Sequence, residues 1–108
     1  MEIVQNKAAY NKRQFELLRE IVLVTKKRLE QAGVTKEDSR ELTGNIVFSI
    51  SALLDASRVL KTGDDLFVPV LVFADDNDRN KLMAEPGGSW LHEYVIGLVD
   101  DIFDDDVA

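Results

Sequence analysis

The spacing of apolar residues in the first third of the chain predicts one long helix, from about residue 6 to residue 32. Residues three and four positions apart lie on the same face of an α-helix. The residues that share one face in this way are Phe15, Leu18, Val22, Thr25, Leu29 and Ala32. Gly33 follows directly and predicts the end of the helix, because glycine adopts the positive φ of a helix C-terminus at little cost.

A second helix is predicted directly after the first, from about residue 36 to residue 61. Thr35 is a favourable N-cap, and Asp38 stands three residues further on, close to the arrangement of a capping box. Because a short connection makes neighbouring helices antiparallel, the two predicted helices form an αα-hairpin.

The stretch 42–60 is the longest one with almost no charge, interrupted only by Asp55 and Arg58. A helix that is apolar on nearly all sides is typically buried, so we expect the other helices to cover this one. A strand over 45–50 is the alternative, since these residues also alternate in part, but length favours the helix. Asp55 and Arg58 are expected to form an ion pair at the edge of the helix.

Residues 66–74 fit either a strand or a helix. Their Val and Phe content favours a strand, which Pro69 would confine to a sheet edge because proline donates no ladder hydrogen bond. A helix with Asp65 as its N-cap would place Pro69 in the first turn, where its missing amide is tolerated. A helix is favoured, because no second strand for this segment is evident. Residues 75–81 are predicted to form a polar loop.

The last predicted element is a helix over about residues 90–103, preceded by a break at 86–88 and capped by Ser89. Its inner face comprises Leu91, Tyr94, Val95, Leu98, Val99 and Ile102.

The predicted fold is therefore mainly α, a small helical bundle built on an αα-hairpin. It is expected to be a single domain over 1–108, with a frayed acidic C-terminus at about 104–108. The alternative is an α+β fold with a short strand near 66–74.

Charge adds an asymmetry to this picture. The 108 residues carry a net charge of −7, but residues 1–40 have nine Lys or Arg against six Asp or Glu, and the remainder have four against fourteen. A negative chain disfavours binding to nucleic acid and to anionic membranes. No apolar run approaches the roughly 18 to 20 residues that span a bilayer. We therefore expect a cytoplasmic protein, with neither nucleic acid nor membrane as a partner.

Metal and catalytic motifs find little support in the sequence. The chain has no cysteine and a single histidine, His92. A zinc-protease helix needs a second histidine four residues later, where Ile96 stands. We predict no cofactor, no metal site and no catalytic residue. A small enzyme that uses His92 with carboxylates is the least favoured hypothesis.

The acidic loop resembles a calcium loop only at its start. Asp76, Asp78 and Asn80 take positions one, three and five. Lys81 then stands where the loop needs glycine, and Gly87 stands where it needs glutamate. The residues that make such a loop turn and close are absent, so calcium is not predicted.

The acidic residues of the second half predict a binding surface instead. Negative charge at a helix C-terminus opposes the helix dipole, so a helix selected for its own stability would not carry it. We expect these residues to bind a basic protein partner, with electrostatics setting the association rate. The candidates are Asp75, Asp76, Asp78, His92, Glu93, Asp100, Asp101, Asp104 and Asp105.

The predicted function is that of a small acidic, non-enzymatic interaction or regulatory protein, similar in composition to small bacterial inhibitor proteins. The alternative is self-association, as a homodimeric helical domain of structural role whose wide apolar faces complete a four-helix core.

Overall fold

The computed structural model describes residues 1–105, which form a mainly α fold with a few short strands. The helices of this part are α1 (Lys7–Gln31), α2 (Lys36–Leu54) and α3 (Leu91–Asp105). Each helix packs against the other two. The strands are β1 (Glu2–Gln5), β2 (Leu60–Thr62), β3 (Asp65–Phe67), β4 (Phe73–Ala74) and β5 (Lys81–Ala84).

Both α1 and α2 begin where the sequence predicts, and α1 also ends there. The side chain of Asn6 caps α1 by accepting a hydrogen bond from the amide of Ala9 at 3.1 Å. Gly33 ends the turn after α1 with φ of +85°. Thr35 caps α2 by accepting from the amide of Asp38 at 3.3 Å. These local signals bring α1 and α2 into contact as consecutive helices.

The second helix ends earlier than predicted. It stops at Leu54, and Ala56 adopts the left-handed region with φ of +61°, which carries the chain away from the helix axis. Residues 60 and 61, predicted as helical, belong instead to β2. The strand considered over 45–50 is absent, because that stretch is helical throughout.

The helix favoured over 66–74 is wrong, and the alternative with a short strand there is closer to the structure. β3 pairs antiparallel with β2, and β4 pairs antiparallel with β5. β5 in turn pairs parallel with β1, which gives a sheet of order β1–β5–β4. Pro69 lies between the strands, where its missing amide interrupts no ladder.

The third helix begins and ends slightly later than predicted. It starts at Leu91 and continues through Asp105, so Asp104 and Asp105, which were expected to fray, are helical. The rest of the segment expected to fray, 106–108, lies outside the described residues. Within the described part, no helix is both long enough and apolar enough to cross a bilayer.

The core lies between the three helices, but α2 contributes little bulk to it. The buried apolar residues include Leu18 and Val22 of α1 and a longer series from α3. The buried face of α2 consists of Ser39, Thr43, Val47 and Ser51. This helix therefore packs through small side chains, which allow its backbone to approach its neighbours closely.

Most of the large apolar residues of α2 point outward, so the other helices cover this helix on one face and not on nearly all sides as expected. Leu42, Ile46, Ile50 and Leu53 are all exposed. Their spacing of four, four and three places them on one face of the helix. We call this face the α2 stripe.

A second apolar surface lies on residues 57–70, which we call the arm. It is built on the β2–β3 hairpin, and its residues are exposed apart from two that are partly buried. Leu66 is 71% exposed and Val70 is 65% exposed. The arm therefore has few contacts that would hold it against the helices.

The radius of gyration and the accessible surface of the chain are both larger than those of a compact domain, as these uncovered surfaces would lead one to expect. The radius of gyration is 15.9 Å, whereas a compact domain of this length has about 13 Å. The accessible surface is 7391 Å², whereas a folded monomer of this mass exposes about 6,100 Å². The chain thus exposes roughly 1,300 Å² more than a compact monomer would.

Candidate functional site

A buried carboxylate joins the end of α2 to the start of α3. The side chain of Asp55 is only 1% exposed. Its Oδ2 accepts a hydrogen bond from the backbone amide of His92 at 2.8 Å and lies 2.5 Å from the Nδ1 of the same residue. Its Oδ1 accepts from the hydroxyl of Ser89. Asp55 therefore supplies the cap at the start of α3, although it lies far away in the sequence.

This remote capping explains why the prediction of Ser89 as N-cap is wrong. The hydroxyl of Ser89 donates to Asp55 and belongs to the same cluster. The next amide, that of Trp90, donates to Oε1 of the buried Gln14 at 2.8 Å. A negative side chain at the positive end of a helix dipole is favourable, so the charge of Asp55 stabilises the junction.

The ion pair predicted between Asp55 and Arg58 is also replaced by this cluster. Arg58 lies on the exposed arm, whereas the carboxylate of Asp55 is buried against Ser89 and His92. The early end of α2 separates the two side chains, because they no longer share a helix face.

His92 is held by Asp55 in the orientation known from acid–histidine pairs. With Nδ1 against a carboxylate, Nε2 is the nitrogen that remains for other partners. The side chain is 32% exposed, and its ring contacts Phe48 edge to face at 6.0 Å. Ser89 bonds to the carboxylate and not to the ring, so these three residues do not form a nucleophile–base–acid series.

A cavity of about 190 Å³ adjoins the cluster. It is formed by the end of α2, by residues 69–71 at the base of the arm, and by residues 85–89. Asp55 and Ser89 line it, whereas His92 is not among its lining residues. The ring of His92 therefore lies outside this cavity.

Tyr10 closes the other side of this junction. Its ring is fully buried and contacts Phe73 at 5.2 Å, and its hydroxyl donates to the carbonyl of Leu71 at 2.7 Å. Burial raises the pKa of the Tyr10 hydroxyl above its ordinary value of 10.0, and negative charge on Asp55 adds to the effect. The nearby hydroxyl of Ser89 lowers this pKa in part.

The raised pKa of Tyr10 makes stability depend on alkaline pH. A group whose pKa is higher in the folded state stabilises fully below its unfolded pKa and loses that contribution as pH rises through the folded value. We expect the free energy of unfolding to fall above about pH 10, and to fall less steeply in Tyr10→Phe. Urea unfolding monitored by circular dichroism from pH 8 to 11 measures this. Equal slopes in the two proteins would contradict it.

The predicted partner-binding residues are divided between the two ends of α3 and the loop before β5. His92 and Glu93 lie in its first turn, and the aspartates lie near its last turn. His92 and Asp104 are twelve residues apart, which is about 18 Å along a helix. Asp75, Asp76 and Asp78 lie between β4 and β5. The residues therefore do not form one cluster.

Several of these acids have partners within the chain. Arg40 donates to Asp100 at 2.6 Å and to Asp104 at 2.9 Å, and these hydrogen bonds raise the pKa of its guanidinium. Asp76 pairs with Arg79 at 3.3 Å. The charge near the end of α3 is thus partly compensated by a cation from α2.

The loop aspartates also stabilise their own turns. Asp75 accepts from the amide of Asn77 at 2.9 Å, and Asp78 accepts from the amide of Asn80 at 3.1 Å. Both are local contacts of the kind that asparagine and aspartate make in turns. Within residues 1–105, no group of three or more His, Asp or Glu side chains is placed to hold a metal ion.

An aromatic groove between α1 and α3 was not predicted. Two neighbouring cavities of about 430 and 450 Å³ share Asn11 and Tyr94, and together they are also lined by Phe15 and Trp90. Phe15 contacts Tyr94 edge to face at 6.1 Å, and Trp90 is 46% exposed. We call these four residues the aromatic groove. Its signal in the sequence is weak, because Phe15 has the spacing of a core residue.

The described residues thus define a small mainly α protein with a buried capping cluster and three incompletely covered apolar surfaces. In comparisons with protein-family models, curated proteins and solved structures, the chain has no match.

Proposed function

We propose that the protein is a non-enzymatic interaction protein that functions as a homodimer. In this dimer the α2 stripe and the arm of each copy are covered by the other copy. The observation that carries the proposal is the exposure of Leu42, Ile46, Ile50 and Leu53 along one helix face. Large exposed apolar patches mark interaction sites in soluble proteins.

The excess accessible surface of the chain is large enough for a dimer interface. A stable interface of standard size buries about 800 Å² on each partner. The surface of this chain, 7391 Å², exceeds that of a compact monomer by roughly 1,300 Å². A second copy that covers the stripe and the arm therefore accounts for most of the excess.

Charge favours a second copy on the α2 stripe over a basic partner. In a two-fold dimer a helix face meets its own equivalent, so any net charge on it would repel itself. Residues 42–54 contain no charged side chain. The net charge of −7 opposes contact between copies over much of the rest of the surface. The α2 stripe of one copy is therefore suited to pack against the α2 stripe of a second copy.

The arm supports the same conclusion. An isolated two-stranded hairpin is at best marginally stable in water. The β2–β3 hairpin has three residues in each strand and exposes Leu66, Phe67 and Val68. A partner surface that covers these side chains would supply the stability that the hairpin lacks.

Analytical ultracentrifugation tests the proposal. We expect a species of twice 12.2 kDa at micromolar concentration that dissociates on dilution. Because the contact is apolar, raising the salt concentration should leave the dissociation constant unchanged or lower it. A monomer at every concentration up to hundreds of micromolar would contradict the proposal.

A basic protein partner at the acidic surface is the second candidate. Asp101 and Asp105 are exposed, and neither has an ion-pair partner among residues 1–105. A basic peptide titrated into the same centrifuge samples tests this contact. We expect its binding to weaken with salt, because exposed charges are screened over about 10 Å at 0.1 M ionic strength. Binding that is indifferent to salt would contradict it.

A further inference from the structure

We infer that in the dimer the arm of each copy lies in the aromatic groove of the other copy. This inference rests on the proposed homodimer and specifies that the arm of one copy contacts the aromatic groove of the other. The arm extends from one copy, and the groove lies between α1 and α3 of its partner, so the same contact occurs twice about the two-fold axis.

The arm and the aromatic groove both expose apolar side chains that can pack against each other. The arm exposes Leu66 and Phe67 at β3, followed by Val68. The groove offers the rings of Phe15 and Trp90, beside Tyr94. Aromatic side chains such as those of the groove are enriched in the cores of protein interfaces, and Trp and Tyr are enriched among the residues that carry binding energy.

The groove is not filled by the arm of its own chain. The residues that line its two cavities belong to segments 7–16 and 85–94, and none comes from the arm. The base of the arm, at residues 69–71, lines the separate cavity beside Asp55. The apolar part of the arm is thus left for a different surface.

Both surfaces carry charges of both signs, which allows them to pair. The rim of the groove carries Lys7, Lys12, Glu16, Glu85 and Glu93. The arm carries Arg58, Lys61, Asp64 and Asp65. The two aspartates stand at the hairpin turn and first residue of β3, next to Leu66. Lysines on the α1 side of the groove are suited to receive them, as oppositely charged surfaces are favoured at interfaces.

The absence of cysteine from the chain permits a direct test by cross-linking. Two variants with different tags, Leu66→Cys in the arm and Lys12→Cys at the groove, are co-expressed and treated with a short bismaleimide. The control pairs Leu66→Cys with Lys27→Cys, an exposed lysine on the same helix. Lys27 lies fifteen residues further along α1, about 22 Å from Lys12.

We expect an interchain product from Leu66→Cys with Lys12→Cys and at least tenfold less product from the control pair. Equal yields for the two pairs, or no product from a sample that sediments as a dimer, would overturn the inference and leave the homodimer intact. A sample that sediments as a monomer would overturn the homodimer and the inference together. In a third variant that carries both substitutions in one chain, a product confined to single chains, with none between chains, would also overturn the inference.

Trp90 provides a second measurement without any substitution, because it is the only tryptophan. If the partner arm covers the groove, its emission maximum moves to longer wavelength as the dimer is diluted to monomer. The shift should follow the dissociation measured by sedimentation. An emission spectrum that is unchanged by dissociation would contradict coverage of the groove.

Discussion

Replacing Asp55 by Ala is expected to lower the free energy of unfolding by about 2–4 kcal/mol, because several donors in a largely buried junction lose their acceptor together. The substitution removes the acceptor for the hydroxyl of Ser89 and for the amide and ring of His92. These donors lie in a largely buried junction, where an unsatisfied group costs about 1–3 kcal/mol. The start of α3 also loses its capping charge.

Two control variants distinguish the loss of the Asp55 hydrogen bonds from the loss of a negative charge in general. Asp101→Ala removes an exposed carboxylate from α3 and should change stability by less than about 0.5 kcal/mol. Asp55→Asn keeps the shape and one acceptor oxygen, so it should destabilise by an intermediate amount. Chemical denaturation at one fixed protein concentration measures all three, because dimerisation shifts apparent stability. A loss below about 1 kcal/mol in Asp55→Ala would show that the cluster does not hold the junction.

The largest effect on assembly is expected from Ile46→Glu. In the proposed dimer this change places a carboxylate in the α2 stripe of both copies at once, so the two charges would face each other across the symmetry axis. Like charges in contact cost several kcal/mol at an interface. We expect the dimer dissociation constant to rise at least about 100-fold, which corresponds to about 2.8 kcal/mol.

Ile96→Glu is the matched control for this variant. Ile96 is 70% exposed on α3, outside the stripe, so the same substitution adds the same charge elsewhere. Sedimentation equilibrium on both variants compares their dissociation constants, and circular dichroism checks that the helices remain. If both variants dimerise as tightly as the wild type, the α2 stripe is not the interface.

The parts of the fold that the sequence predicts correctly depend on neighbouring residues. Gly33 and Thr35 mark the connection between α1 and α2 because each acts on the turn that contains it. The end of α2 depends instead on Asp55, whose partners Ser89 and His92 lie 34 and 37 residues away. No local pattern carries that information.

The strands were missed for the same reason. β5 pairs with β1 in the register of Leu82 with Ile3, across most of the chain. A strand near 66–74 needs a partner strand, and its partners, β2 and β5, are short segments with little pattern of their own.

The candidate surfaces were located only in part. Apolar periodicity on α2 was interpreted as burial, because a pattern of side chains does not distinguish a protein core from an interface. The acidic residues were recognised as a group, but the pairing of Arg40 with Asp100 and Asp104 depends on the packing of α2 against α3.

The hydrogen bond between Asp55 and Ser89 also affects how this architecture changes in evolution. The chain leaves the helical part after residue 55 and returns to the same point at residue 89. Doubling the length of a closed loop costs only about 0.6 kcal/mol of entropy. The arm within this segment is therefore expected to tolerate changes of length, whereas β4 and β5 are fixed by pairing with each other and with β1.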